Sequence, residues 1–496
     1  MTGTRQLTIE RPELNTAELG YFRYGYIGDK VVLTNDAGEW HALTKSEFHT
    51  FLAGKVQVGH PHYTGLQKKG FIRADLDVEH LAEKVRRKKS FMGIGPHLHV
   101  MITTLRCNQS CKYCHASRTD MDRVDTDMSL DVAKKAVDLA MQTTSPYVNF
   151  EYQGGEPTVN FPVLQFCVEY SREKNKYENK LLDHSVVTNM TYMNEERADW
   201  LLDNNVLVCT SLDGPERIHN WNRSWKGGGN AYERVVHWMK YFNDGFVKKG
   251  MDPQLWHIDA LMTTTKKTMK DYKEVVDLYV DLGIRNIHLR PLNPFGFAQA
   301  TWKAIGYSWE EYVEFYTNAL DYILQLNRQG VQIIEGTAST FLHKMLTPED
   351  PNFVDIRSPV GSGTGQVAYG YDGSVYPSDE GRMVAAMGND IFRLGHVDEL
   401  TYKDIVQHPT VKTMAVASLL DSLPGCSTCW NAPYCGVRPM HNYMNFGDLL
   451  GQRPRTPKCT EHMGISRILF EKMINDPTGE IETIFRRWTI RRPREA

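Results

Sequence analysis

The sequence predicts an α/β protein, a partial (β/α)6 barrel preceded by a small winged-helix-like module and followed by a cysteine-rich extension. Three observations carry this. Apolar strand-like runs alternate with amphipathic helical runs between residues 94 and 330; the first 93 residues read as short strands followed by helices; and beyond residue 330 the periodicity fades while cysteines gather. A length of 496 residues suits about three units at roughly 100 to 200 residues each. The content of 41% hydrophobic and 11% aromatic residues supplies their cores. With 57 Lys plus Arg against 60 Asp plus Glu, the formal net charge of -3 gives no general pull toward nucleic acid or anionic membrane. No apolar run approaches the ~18 residues of a membrane span. The N-terminus lacks the charged-then-apolar order of a signal peptide, so a cytoplasmic protein is expected.

Residues 1–93 form the first expected module. KVVLTNDAGEWHAL reads as two strands around the hairpin turn Asn35-Asp36-Ala37-Gly38. The helical TKSEFHTFLAG follows, with Thr44 as N-cap and Glu47 at the capping-box position. HYTGLQKKG reads as a second helix and LAEKVRRKKSF as a connecting helix or linker.

Residues 94–330 form the barrel. Six runs, LHVMITTL, YVNFEYQG, LDHSVVTN, NVLVCTSLDG, LWHIDALMTT and NIHLRPLN, are separated by helical stretches such as LDVAKKAVDLAMQ. Six parallel strands suit a partial barrel better than a closed eight-stranded one, and in such folds chemistry collects at the strand C-termini. Residues 331–465 are irregular apart from a hairpin at Asp372-Gly373, and 466–496 end in a helix and a tail with five arginines, read as solvated.

Nine cysteines decide the chemistry. Without an export signal, clustered cysteines read as metal ligands rather than disulfides. Cys107, Cys111 and Cys114 follow the first barrel strand. Three thiolates leave one metal position open, which suits a [4Fe-4S] cluster with one free iron, or zinc if His115 completes it. Cys426, Cys429 and Cys435, with Cys459 beyond them, make a closed set of four that either zinc or iron–sulfur accepts. Cys167 and Cys209 stand alone in apolar runs and are expected to pack in the core.

The spacing C-x3-C-x2-C with Tyr113 before the last cysteine resembles the signature of the radical S-adenosylmethionine (SAM) superfamily. The resemblance implies SAM chelated at the open iron and cleaved to a 5′-deoxyadenosyl radical that takes hydrogen from a substrate. It assigns Gly154, Gly155, Glu156 and Pro157 to the SAM ammonium, with Glu156 as the charge-matched partner. Thr188 and Asn189 would hold the ribose hydroxyls and carboxylate, Ser211 and Arg223 the carboxylate, and Arg290 and Asn293 would close the sixth strand's end of the site.

The C-terminal part resembles the SPASM (twitch-like) extension of peptide-modifying enzymes, whose full pattern holds two auxiliary clusters. Here Ser378 stands where that pattern has a cysteine, and two further ligands of the first auxiliary cluster are missing. The four ligands of the second are present. Two [4Fe-4S] clusters are therefore expected, one catalytic and one auxiliary. The resemblance also points to Asp379 as a base, with Asp213 and Glu380 as weaker candidates.

Across most of the chain the likeness is to the HxsB-type maturases of the His-Xaa-Ser system. It implies a radical SAM maturase that crosslinks a ribosomally made precursor peptide, whose leader adds as a strand to the N-terminal module. It further implies a paired second radical SAM protein and a reductant such as flavodoxin or ferredoxin, with no nucleic-acid or membrane partner. The rivals are a sulfatase-maturase-like oxidation of Cys or Ser, a non-enzymatic zinc-binding peptide-recognition protein, and a scaffold that needs its paired enzyme.

Overall fold

The computed structural model describes residues 14–74, 76–253, 256–453 and 456–491. The first module is a three-stranded antiparallel sheet, β1 (Arg23–Ile27), β2 (Lys30–Thr34) and β3 (Trp40–Thr44), in that order. Its apolar residues Val31, Leu33 and Leu43 bury against Phe48 and Phe51 of the next helix and against Leu66 and Phe71. The helix Lys45–Leu52 starts where the sequence placed it. Thr44 Oγ1 accepts from Glu47 N at 3.2 Å while Glu47 Oε2 accepts from Thr44 N at 2.7 Å, a reciprocal capping box. A helix at Val78–Lys88 leads to the barrel.

The barrel strands follow in chain order: β4 (Leu98–Thr104), then β5 (Gln109–Cys111), which leaves the barrel, then β6 (Tyr147–Gly154), β7 (Leu181–Thr188) and β8 (Leu207–Ser211). Next come β9 (Arg223–Trp225), again outside, and β10 (Asp259–Thr263), β11 (Asn286–Arg290) and β12 (Ile334–Glu335). Strands β4, β6, β7, β8, β10 and β11 pair in parallel in that order, as the sequence predicted, each followed by a covering helix. The crossover helices begin at side-chain caps, among them Ser129, Asn194, Asn230 and Ser308. β12 adds a seventh parallel strand of two residues.

The sheet also continues past residue 330 at its other edge. β13 (Gln366–Tyr369) runs parallel to β4, and the hairpin partner β14 (Ser374–Tyr376) and β15 (Gly395–His396) extend it antiparallel to ten strands. At the C-terminus the expected helix is present and Arg486, Arg487 and Arg491 are exposed, while the rest of the arginine-bearing tail, 492–496, lies outside the described residues. Glu480–Trp488 is a helix that buries Ile481, Ile484, Phe485 and Trp488, spaced to lie on one face. No described helix is long and apolar enough to cross a membrane.

The core lies between sheet and helices. Along β6, Val148, Phe150 and Tyr152 point outward into it, while Asn149, Glu151 and Gln153 keep solvent contact on the concave face. That face is open because the barrel does not close.

Candidate active site

The three-cysteine loop leaves β4 at the strand's C-terminal end, and its root is pinned from two sides. Asp127 accepts from Thr104 Oγ1 at 2.5 Å and from Arg106 Nε at 2.8 Å. On the other side Gly155 N and Glu156 N donate to Thr104 O and Arg106 O, both at 2.8 Å. The glycines are required there: a Cβ on Gly154 would lie 2.0 Å from Thr104 O, and one on Gly155 would lie 2.3 Å from both Leu105 O and Arg106 O. Farther out, β5 pairs antiparallel with β9, which sets Cys111 opposite Arg223.

Cys107 is buried and Cys111 and Cys114 are half-buried, the first two beside N–H donors. Cys107 Sγ accepts from Gln109 N at 3.4 Å and from Asn189 Nδ2 at 3.6 Å, and Arg223 Nη1 lies 3.8 Å from Cys111 Sγ. Burial pushes the Cys111 thiol up to about 12, with Arg223 opposing and Cys114 adding to the rise; burial likewise raises Cys107. Thiols so placed ionise only when a cation compensates them, and metal binding does that.

Two residues expected to meet SAM or substrate through their carboxylates are otherwise engaged. Glu156 is fully buried. Its Oε1 accepts from Thr158 N (3.1 Å), Thr158 Oγ1 (2.6 Å) and Thr188 Oγ1 (2.7 Å), and its Oε2 from Asn189 N (2.7 Å). It knots the ends of β6 and β7 together, with Oε2 accepting a single hydrogen bond. Thr188 is committed to the same knot, because its hydroxyl also accepts from Met190 N at 3.0 Å. Asp213, a candidate base, is equally buried. Its Oδ2 accepts from Tyr113 Oη (2.5 Å), Asn222 Nδ2 and Arg223 Nε (both 3.1 Å), and its Oδ1 from Thr263 N (3.2 Å). Asp213 is a positioning residue: it fixes Arg223, whose guanidinium also lies over the Tyr113 ring at 5.1 Å.

The remaining rim residues stand at the strand ends. Pro157 is buried at the first turn after β6. Ser211 ends β8 opposite Leu261, and Arg290 ends β11 exposed and opposite Thr263. Asn293 has a buried Oδ1 without a partner. The loop after β11 touches the cysteine loop through Phe297 N, which donates to Cys114 O at 2.9 Å. Burial and then Arg290 keep His115 neutral, lowering it to about 4.

Ser378 caps the helix Asp379–Ala386, and its buried hydroxyl lies 3.3 Å from Met440 Sδ. Asp379 is paired with Arg382 at 2.7 Å, and Arg382 Nη1 reaches back to Ala116 O at 3.1 Å, which sets this helix against the cysteine loop. Burial, followed by nearby Asp355, pushes Glu380 up to about 7 although its residue keeps some solvent contact, as a group lining a concave mouth does.

Cys426, Cys429, Cys435 and Cys459 line one cavity of about 230 Å³. Both side-chain polar atoms of Asn431, on its wall, are buried without partners. Cys435 Sγ lies 3.4 Å from His462 Nδ1. Burial pushes Cys426 up to about 11. Among the described residues no three His, Cys, Asp or Glu side chains converge as tightly as a single ion requires; the four thiols surround a space instead.

Residues not singled out from the sequence line the concave face of the barrel. Strand register places Glu151 beside Ser185, and Cys209 between Val187 and Asp259, with His288 opposite Leu261. Cys167 is fully buried in its helix as expected, but Cys209 is not core: it shares the face of Ser211 and keeps solvent contact. The signal was its position two residues before Ser211 in one strand.

The radical SAM superfamily model matches residues 101–279. A cysteine-type anaerobic sulfatase-maturating enzyme of Clostridium perfringens is 27% identical over 320 residues, covering 61% of this chain and 77% of that protein. The radical SAM cyclopropyl synthase TigE of Paramaledivibacter caminithermalis is 19% identical over 303 residues, covering 53% and 61%. Native anSMEcpe with bound AdoMet has a similar structure at TM-score 0.61 and 19% identity, covering 79% of this chain and 99% of that one. Streptococcus suis SuiB bound to precursor peptide SuiA follows at TM-score 0.52 and 15% identity, covering 88% and 99%. The three-thiol loop, the paired glycines and Arg223 all fall within the segment that the radical SAM superfamily model matches.

Proposed function

We propose that this protein is a radical SAM maturase of a ribosomally made peptide, closest to the HxsB type. It would use SAM with a [4Fe-4S] cluster at Cys107, Cys111 and Cys114, and an auxiliary [4Fe-4S] cluster at Cys426, Cys429, Cys435 and Cys459. The observation that carries it is the three-thiol loop, inside the matched segment, at the rim of an open barrel whose concave face is polar. When bound, SAM and the first cluster supply hydrogen-atom abstraction. The chain's part is to bind and orient. Three thiols leave one iron position open. Gly154 and Gly155 allow a ligand close to bare backbone, and Asp213 holds Arg223 as a fixed cation for a carboxylate.

The second set suits a cluster better than zinc. Tetrahedral zinc with bonds of about 2.3 Å draws four sulfurs tightly together, whereas these thiols stand around a 230 Å³ cavity with an unpartnered amide donor at its wall. For the proton that leaves a modified residue we assign Asp379 and Glu380 as the base pair. Glu380, near 7, is the member poised for neutral pH, while Asp379 is held by Arg382. The leader of the precursor would add as a strand to the N-terminal module, Cys426, Cys429, Cys435 and Cys459 would hold the auxiliary cluster as electron acceptor, and a flavodoxin or ferredoxin would serve as reductant. A second radical SAM protein is proposed as a pathway partner, and a crosslink between side chains as the product.

A second reading, oxidation of a protein Cys or Ser, is favoured by the likeness to the Clostridium perfringens enzyme. The missing first auxiliary set counts against it: the Ser378 hydroxyl caps a helix, and Met440, Val384 and Phe392 pack together behind it.

Anaerobic reconstitution tests the proposal. About eight irons per chain and release of 5′-deoxyadenosine on adding SAM and reductant are expected. Changing Cys107, Cys111 and Cys114 together to Ala should abolish that release and leave about four irons. Zinc without SAM cleavage would sink the reading. A peptide product that reacts with an aldehyde reagent would favour the second reading over crosslinking.

A further inference from the structure

The N-terminal module grips the loop of the second thiol set. Arg23 on β1 is only 5% exposed. Its Nε donates to Ser427 O at 2.7 Å, while Asp36 at 2.6 Å and Asp421 at 3.5 Å hold its Nη atoms. Thr34 Oγ1, at the end of β2, donates to Trp430 O at 2.7 Å, and Tyr434 Oη donates to Gly38 O at 3.1 Å. Trp430 lies flat on β1 at Gly25, where a Cβ would come within 2.1 Å of the indole. Ser427 stands between Cys426 and Cys429, and Trp430 follows Cys429 directly.

Two carbonyls of the thiol-bearing loop are therefore fixed by side chains from about 400 residues earlier in the chain. The loop has turn hydrogen bonds of its own but no α-helix or strand to set its place. Between Gly425 and Gly436 it contains only turns and the three-residue 3-10 turn Ala432–Tyr434. Groups that hold the backbone of a metal-binding loop act as outer-shell partners, and their loss weakens metal binding without removing a ligand.

We infer that the N-terminal module completes the second metal site. Arg23 and Thr34 are positioning residues for the Cys426–Cys435 loop, so filling the site and docking the module are linked. Linkage of this kind is reciprocal: whatever loosens the module loosens the metal, and the converse. The inference rests on the proposed auxiliary cluster and assigns the module a role beyond peptide capture.

The test uses the full chain loaded anaerobically with iron and sulfide, comparing the parent with Thr34→Val and Arg23→Gln. Iron per chain and the rate of iron loss to a chelator are measured, with backbone hydrogen exchange over residues 23–34. Both variants should keep the first set's iron, which also shows that they fold, and lose the second set's about tenfold faster or more, the scale of one buried hydrogen bond. In the other direction, Cys459→Ala should raise exchange in β1 and β2 about tenfold over the loaded parent. Second-set iron lost at the parent's rate in both variants, or exchange unchanged by Cys459→Ala, overturns the inference while leaving the auxiliary cluster standing. A loaded parent holding only about four irons overturns the auxiliary cluster and the inference with it.

Discussion

Asp213 and Glu156 meet the same difficulty in the same way. A carboxylate out of water is costly unless donors replace its hydration, and each of these accepts four hydrogen bonds from its own chain. Both thereby hold strand ends and loops in place: Glu156 those of β6 and β7, Asp213 the Arg223 guanidinium and the end of β10. Glu380 contrasts with both. Burial and Asp355 act against its charge, opposed by Arg438, and the carboxyl rests at about 7. A carboxyl whose folded pKa lies above its unfolded value lends stability that is complete below about pH 4.5 and is lost as pH rises through 7. Glu380→Gln carries no such dependence. Its stability relative to the parent should therefore rise from pH 5 to pH 7 and level off by pH 8. Urea midpoints across that range check this, and a gap that stays flat would show that Glu380 carries its charge at no cost.

At the scale of elements, the glycine pair after β6 decides where the cysteine loop can lie. Gly155→Ala would drive a methyl into two backbone oxygens that cannot step aside. The loop, rather than the strand, should give way: iron bound by the first set is expected to fall while the second set's stays, read as iron per chain on a protein of unchanged circular dichroism. This element was legible from sequence, because a strand, two glycines and a cysteine loop at a neighbouring strand end carry a pattern. So were the six barrel strands, whose alternation with helices is a local signal. β12 was not, since two residues have no period, nor was the pairing of β13 with β4, which joins segments over 260 residues apart. The concave face was misread for a different reason. VLVCTS is apolar enough to pass for a strand buried on both faces, but the barrel is open, so the alternate residue Cys209 meets solvent instead of core. A C-terminal helix was expected, but not that its apolar face reaches Trp488, which shares the last turn with Arg486 and Arg487.

At the scale of the molecule, the parts that the sequence separates are bolted together where it shows only a charged linker. Lys88 ends the connecting helix and is 8% exposed. Its Nζ donates to Lys344 O at 2.7 Å, Thr347 O at 2.6 Å and Glu349 O at 3.2 Å, carbonyls at the C-terminal end of the helix Gly336–Leu346 and just beyond. Lys89 donates to Ser358 O at 2.9 Å beside it. An ammonium with three carbonyl acceptors serves as a C-terminal cap supplied by another module. Lys88→Met preserves the length and bulk of the stem but takes the ammonium donor from Lys344 O and Thr347 O, at about 1 to 3 kcal/mol for such a loss. Because the joint ties the first module to the part of the chain beyond residue 330, the cost should be shared between them. The metal-loaded variant should unfold at lower urea in a transition that tryptophan fluorescence and loss of second-set iron report at the same concentration. If the two probes separated in the parent already, the modules would be independent units; if Lys88→Met left the midpoint unmoved, water would be replacing the ammonium and the joint would add nothing to stability.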